Sequence, residues 1–363
     1  MPPVRKPRGE VTRGTTAPNR LRRVDRWIAA TQAGPLRSGP RPPRPPRPPR
    51  PQTRPRPSGP PRRSSPFGPP ASHGTAAPRE SPVSRGTSAP PRRSPPPACS
   101  TAGAPTPEAL SRPDAPPLAV DLGYGSSPIT TFEFYNRLRV VSPRLEVVGI
   151  EIDPERVAAG RAFLAALNAS AASGTSGTSW RGTAEGLSFQ HGGFEVPVVR
   201  PPVLIRAFNV LRQYGEAAAW QAWEELCGRL DPSGVLVEGT CDEIGRRAVW
   251  ATLTPRGPRT ITFAAHLPTL DRPSALAERL PKTLIHRNVP GEPVHALLTA
   301  FDRCWAIAAP HSVFGPRARW VEAVRLLSQS HPVLTTPPYG GRNRWRLGEV
   351  TLRWEAVAPR VTG

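Results

Sequence analysis

The chain has 363 residues, 52 of them proline, and its 49 Lys and Arg against 27 Asp and Glu give a formal net charge of +22. Glycine shows no three-residue period, which excludes a collagen, and no apolar run approaches the roughly 20 residues that span a bilayer, which excludes a membrane protein. The four cysteines form no CxxC pair, which argues against a zinc site or a disulfide framework. Arginine, proline, alanine and glycine all have GC-rich codons, so a GC-rich genome alone would also produce this composition.

Residues 1–33 are predicted to contain an amphipathic helix that docks on the main domain. Asn19 is a candidate N-cap. Apolar residues recur behind it at helical spacing: Leu21, Val24, Trp27 and Ile28. Arginines would line the outer side, at positions 20, 22, 23 and 26, either solvated or facing phosphate groups. No apolar core of a signal peptide precedes the helix, so we expect a cytoplasmic protein without membrane partners.

Residues 34–115 are predicted to be a disordered Pro/Arg-rich linker. They contain 26 prolines and Phe67 as their only aromatic residue, too little apolar surface to offset the loss of chain entropy on folding. An Arg-Pro-Pro repeat over 41–50 suits polyproline II, which would align its arginines along one edge. This repeat could bind polyanions or an aromatic groove, or be a spacer that reflects codon bias.

Residues 116–363 alternate between strand-like and helix-like segments, which favours an α/β domain with a mainly parallel sheet. A helical insertion is expected at about 271–345, before the last strand. The predicted strands are 118–122, 146–150, 187–190, 203–208, 235–238, 260–265 and 350–354.

Two motifs in this domain point to a nucleotide-like ligand. The sequence DLGYG at 121–125 stands where the first strand turns into a helix, and glycines there permit a tight turn and close approach of a ligand to backbone amides. Glu151 ends the second strand, one strand–helix–strand unit later, where a carboxylate can accept two hydrogen bonds from a ribose diol. Pro128 stands where a dinucleotide fingerprint needs its third glycine, which counts against a nicotinamide cofactor.

These motifs resemble motif I, Asp-x-Gly-x-Gly, and the following acidic motif of class I S-adenosylmethionine-dependent methyltransferases, over residues 118 to about 265. The opening segments RGTT at 13–16 and PNRLRRVDRW at 18–27 are similar to those of an uncharacterised actinobacterial branch. The resemblance implies a Rossmann-like fold with a mostly parallel seven-stranded sheet whose last strand is antiparallel. It also implies S-adenosyl-L-methionine as the cofactor.

The same resemblance assigns residues to the cofactor. The assigned residues are Asp121, Gly123 and Gly125 at the methionine part, Glu151 at the ribose and Ile152 at the adenine. Many members of this superfamily have an aspartate that contacts the adenine amino group, where this chain has Gly193. Phe194 is therefore a candidate to stack on the adenine instead.

The candidates for catalysis lie at the end of the fourth strand and just after it, at an edge that faces cofactor and acceptor in this superfamily. Arg206 could hold an anionic acceptor and Asn209 could orient an acceptor atom or cap a helix, and Tyr214 is a third candidate. Acids of the fifth strand and beyond, Glu238 and Asp242 among them, could act as a general base or cap the next segment. The acceptor, a small molecule or RNA, is left open.

A different class of function is also compatible with these features. The chain could be a nucleic-acid-binding protein in which the Rossmann-like domain is a catalytically silent scaffold and the basic arm binds the ligand.

Overall fold

The computed structural model describes residues 7–12, 16–38, 115–172 and 184–360. The Arg-Pro-Pro repeat and most of the predicted disordered linker lie outside these residues. At the edge of the linker the prediction is wrong, because residues 34–38 continue a helix that starts at Ala33. The residues on either side of the interval 39–114 belong to one compact unit.

The described residues form eight strands and nine helices, joined in places by short 3-10 turns. The strands are β1 Leu118–Leu122, β2 Glu146–Glu151, β3 Leu187–His191, β4 Leu204–Phe208, β5 Val235–Cys241, β6 Arg247–Thr254, β7 Gly257–Ala265 and β8 Glu349–Arg353. The helices are α1 Arg22–Thr31, α2 Ala33–Ser38, α3 Ile129–Arg139, α4 Pro154–Ala172, α5 Glu216–Arg229, α6 Lys282–Ile285, α7 Pro293–Ile307, α8 Pro316–Leu327 and α9 Arg342–Trp345. None of these helices is long and apolar enough to cross a membrane.

All eight strands form one sheet in the order β3-β2-β1-β4-β5-β6-β7-β8. Strands β1 to β5 are parallel, whereas β6, β7 and β8 each run antiparallel to the strand before them. The order reverses between β1 and β4, which opens a crevice at the carboxyl ends of these strands. An α/β fold is therefore present, with a sheet that is parallel in its first five strands only.

The predicted count of seven strands is wrong because β6 was missed. Six of the eight residues of β6 are buried, so its sequence RAVWATLT lacks the alternation of a half-exposed strand. Gly257, with φ +98°, turns the chain tightly from β6 into β7, a conformation that favours glycine. The antiparallel part of the sheet thus comprises three strands of a meander instead of one final strand.

Helices α3 and α5 pack on the sheet, and α1 and α6 to α9 add to its core. Helix α1 buries Trp27 completely, and its indole meets that of Trp250 in β6 edge to face, with ring centroids 5.4 Å apart. Helices α6 to α9 lie between β7 and β8 in sequence and share a core with these strands, with Phe301 and Trp320 fully buried. The N-terminal helix is thus an integral part of the domain.

Candidate functional site

The glycine turn after β1 and the acid at the end of β2 lie side by side. Gly123 and Gly125 both have positive φ, +64° and +84°, which side chains other than glycine rarely adopt. The Gly123 amide donates to the carbonyl of Ile150 (2.7 Å), and the Gly125 amide donates to the carboxylate of Glu151 (2.9 Å). The two predicted motifs therefore form one structural unit at the switch point of the sheet.

Glu151 is only 1% exposed, yet it retains capacity to accept hydrogen bonds. One oxygen accepts from Gly125 and the other from the amide of Ile152 (3.0 Å), whereas an ionised carboxylate offers about four acceptor positions. Its neighbours in the crevice include Ile152 and Phe194. A buried carboxylate flanked by an aliphatic and an aromatic side chain suits a ribose with an attached planar base.

Residues 7–12, which we call the strap, cross the crevice. The carbonyl of Arg8 accepts from the amide of Phe194 (2.9 Å), and the amide of Glu10 donates to the hydroxyl of Tyr214 (2.5 Å). Farther along, the guanidinium of Arg156 donates to the carbonyl of Thr12 (3.1 Å). The strap is thus hydrogen-bonded to loops and helices that follow β2, β3 and β4.

The strap divides the crevice into two small cavities. The first has a volume of about 60 Å³ and is lined by Asp121, Gly125 and Asn209, and the second, of about 20 Å³, is lined by Glu151 and Tyr214. Both touch Gly123. Drug-sized ligands occupy pockets of about 300 to 1,000 Å³, so S-adenosylmethionine can enter only if the strap moves.

The predicted cofactor residues are therefore gathered around one crevice, in two groups. Asp121, Gly123 and Gly125 line the first cavity; Glu151, Ile152 and Phe194 line the second. Tyr214 belongs to the second group, where its ring lies 5.5 Å from that of Phe194. Burial raises the pKa of Tyr214, so its hydroxyl stays protonated at neutral pH.

Arg206, a candidate for holding the acceptor, is placed where no acceptor can touch it. Its side chain is fully buried, donates to both oxygens of Asp121 (2.8 and 2.6 Å) and pairs with Asp25 of α1 (2.5 Å). Its guanidinium also stacks over Phe134 at 4.1 Å. Burial alone would lower the pKa of Arg206, but the two carboxylates outweigh it and raise the pKa. Arg206 instead fixes Asp121 under the glycine turn.

Asn209 follows β4 in an unusual backbone conformation, with φ +61°. Its side-chain oxygen accepts from the amide of Cys241 at the end of β5 (3.0 Å), so it ties two strand ends together and does not cap the following turn. Left-handed backbone at a non-glycine residue is a local strain of a kind that clusters at functional sites. Asn209 borders the first cavity, beside Phe208 and the strap residue Thr12.

The acids of β5 and beyond split between two structural roles. Glu238 is fully buried and accepts from the indole of Trp223 (3.1 Å), away from both cavities. The carboxylate of Asp242 accepts from the amides of Arg246 and Arg247 and so caps the turn into β6. No group of three or more His, Cys, Asp or Glu within the described ranges could hold a metal ion.

The strap is the part of the site that sequence reasoning missed. Its contacts are made mostly by backbone groups to residues more than 140 positions away, which leave no local pattern. The one sequence feature that could have indicated the strap is the glycine at position 9. Its φ of +137° and its close approach to the Tyr214 hydroxyl and Ile152 leave little room for a side chain.

Replacing Gly193 with alanine is expected to dislodge the strap. A Cβ at Gly193 would lie 1.8 Å from the carbonyl oxygen of Arg8, and that backbone cannot shift without breaking its bond to Phe194. Hydrogen exchange read by mass spectrometry should then accelerate by about tenfold or more at the amide of Glu10. The control is Gly228→Ala in α5, where no atom lies within 4 Å of the added Cβ. Unchanged exchange in Gly193→Ala would contradict the close packing of the strap against Gly193.

Comparison with known proteins finds no matching family model and no matching curated protein. Solved structures are similar to part of the chain. They include mitomycin 7-O-methyltransferase (16% identity, 34% of this chain, 31% of that chain, TM-score 0.25). A second is human N-acetylserotonin methyltransferase in complex with S-adenosylmethionine (20% identity, 36% of this chain, 32% of that chain, TM-score 0.24). A third is a glycopeptide N-methyltransferase complexed with S-adenosylmethionine (16% identity, 34% of this chain, 43% of that chain, TM-score 0.26). This chain spans less than half the length of each.

Proposed function

We propose that the chain is a class I S-adenosylmethionine-dependent methyltransferase. The observation that carries the proposal is the hydrogen bond between the Gly125 amide and the Glu151 carboxylate, which joins a glycine turn to a ribose-binding type of acid at the switch point of the sheet. The aromatic ring of Phe194 beside Glu151 supports it, since an adenine needs an apolar contact there.

When bound, S-adenosylmethionine supplies a sulfonium methyl group that an acceptor nucleophile can displace directly. In the proposal, Glu151 accepts the ribose hydroxyls, and Ile152 and Phe194 contact the adenine. Asp121, held by Arg206, borders the methionine part with the glycine turn. Such a transfer depends chiefly on alignment of the acceptor with the methyl group and on exclusion of water. A strap that closes over the crevice would exclude the water. Asn209, which borders the first cavity, would orient the acceptor.

A second candidate function is nucleic-acid binding through the basic arm, with the Rossmann-like domain as a catalytically silent scaffold. The small size of the two cavities, about 60 and 20 Å³, favours it, because a strap that never leaves the crevice would exclude any nucleoside. The two functions differ in whether the chain binds S-adenosylmethionine at all.

Calorimetric titration of S-adenosylmethionine into the full chain decides between them. We expect binding, and we expect Glu151→Ala to weaken it by about 1 to 3 kcal/mol, since charged hydrogen bonds to the ribose are lost. The matched control is Glu146→Ala, at the opposite end of β2, whose partner is Arg200 (2.5 Å). Thermal unfolding of both variants would confirm that each is folded.

Two results would contradict the proposal. The absence of heat and of a thermal shift with the unmodified chain would favour the silent scaffold. Equal affinity in Glu151→Ala and the unmodified chain would remove Glu151 from the cofactor site.

A further inference from the structure

Three cavities outside the crevice are larger than the two within it. Three adjoining cavities of about 550, 420 and 390 Å³ form a continuous surface depression. Phe314 and Arg317 line the first two, and Arg23 lines the second and third. We call this depression the arginine groove and define it by Arg22, Arg23, Arg26, Arg317, Arg342 and Arg346.

The groove carries a marked excess of positive charge. Among the described residues, eight arginines and two glutamates line it, and each glutamate is already paired with an arginine: Glu322 with Arg325 (2.7 Å) and Glu349 with Arg344 (3.2 Å). No salt bridge of the described chain involves the lining arginines at 22, 26, 317, 342 and 346.

Composition alone does not explain this concentration. Residues 116–363 contain 27 basic and 22 acidic residues, a net charge of only +5. Codon bias enriches arginine everywhere in a chain and does not gather eight arginines with only two acids along one depression. Like charges gathered on one surface repel one another, so an anionic partner would stabilise the groove.

An exposed aromatic side chain lies within the groove. Phe314 is 80% exposed and lines two of the three cavities, next to Arg317 and Arg346. Basic residues along a concave channel with an aromatic platform are the arrangement that binds single-stranded nucleic acid, because phosphates pair with arginine and a base stacks on the ring.

The groove lies at the same edge of the sheet as the crevice. Gly245, which follows β5, and His266, which follows β7, both line it, so it runs along the carboxyl ends of the sheet. At its near end Asn19 lines the groove, while the next residue, Arg20, lines the first cavity of the crevice. A strand that follows the groove would therefore arrive beside Asn209.

We propose that the arginine groove binds single-stranded RNA or DNA and that this strand is the acceptor for the candidate site. The binding itself is independent of catalysis, whereas the role as acceptor rests on the proposed function. Residues 39–114 of the same chain cannot take the place of the strand, because their 13 arginines against three acidic residues have the same sign of charge as the groove.

The test measures fluorescence anisotropy of labelled 20-nucleotide RNA and DNA single strands with the full chain in the absence of S-adenosylmethionine. Arg317→Gln/Arg346→Gln is expected to weaken binding at least tenfold and to lower the slope of log K against log salt by about 1.4, since each phosphate contact to a single strand contributes about 0.7. Phe314→Ala should weaken it about tenfold through lost stacking. The relative affinities for RNA and DNA identify which strand is preferred.

The matched control is Arg256→Gln/Arg259→Gln, with the same loss of charge on the exposed β6–β7 hairpin at the opposite edge of the sheet. It should leave the affinity within twofold of the unmodified chain. If both double variants lose affinity equally, the binding is a property of net charge and the groove is not a site.

Photo-crosslinking with 4-thiouridine RNA locates the bound strand. We expect crosslinked peptides from 309–327, around Phe314. Crosslinks confined to 39–114, or binding to phosphatidylserine vesicles with no binding to either strand, would overturn the proposal. If the strands bind at the groove but calorimetry detects no binding of S-adenosylmethionine, the groove is a nucleic-acid site and its role as an acceptor site is refuted.

Discussion

Replacing Arg206 with methionine is expected to lower the free energy of unfolding by about 3 to 5 kcal/mol. The fully buried guanidinium is bidentate on Asp121 and also pairs with Asp25, which is itself fully buried. Methionine would fill much of the space but leave these carboxylates without their shared cation. Asp25 would keep a second cation, Arg137 at 2.6 Å, whereas Asp121 would keep the neutral hydroxyl of Thr131 at 2.7 Å.

Guanidinium chloride unfolding of the full chain, followed by tryptophan fluorescence, measures this loss. The control is Arg325→Met in α8, whose pairing with Glu322 is half exposed and contributes less than about 1 kcal/mol. If Arg206→Met does not fold, Arg206→Lys keeps the charge but not the bidentate geometry and should show a smaller loss. A change below about 1 kcal/mol in Arg206→Met would show that the buried pairs do not hold α1 on the sheet.

Replacing Glu238 with glutamine is expected to stabilise the protein at alkaline pH. Burial raises the pKa of Glu238 to about 8, despite the hydrogen bond from Trp223, and its second oxygen has no partner among the described residues. Between pH 4.5 and 8 the folded chain keeps this proton and the unfolded chain loses it, so stability falls as the pH rises. Glutamine stays neutral and should recover up to about 4 kcal/mol at pH 8.

Unfolding of both proteins at pH 5 and at pH 8.5 measures this gain, which should be small at the lower pH and large at the higher. Glu243→Gln, exposed in the turn after β5, is the control and should change stability little at either pH. A gain of the same size at both pH values would mean that ionisation of Glu238 is not its cause.

Local requirements explain what the sequence predicted well. A tight turn after β1 needs glycine at 123 and 125, and an acid that ends β2 must lie beside that turn in a parallel sheet. The turn and the acid both lie within fewer than 35 consecutive residues, so the local sequence pattern is enough to predict that they meet.

Long-range packing explains what the sequence could not supply. Arg206 lies in a strand that is buried on both faces, so the local sequence does not show which partner its side chain meets. That partner includes Asp25, which lies 181 residues earlier in the chain. The strap is likewise held by partners far along the chain. Composition identifies the arginines of the groove but not their common location, which the packing of α1, α8 and α9 determines.

The contact between Trp27 and Trp250 has a consequence for synthesis on the ribosome. The two indoles are 223 positions apart in sequence, and ribosomes add about 5 to 20 residues per second. The apolar side of α1 must therefore wait on the order of 10 to 45 s after its own translation before its partner strand emerges. During that interval Trp27 lacks the strand on which it packs, so nascent chains of this protein should depend on chaperones that shield exposed apolar side chains.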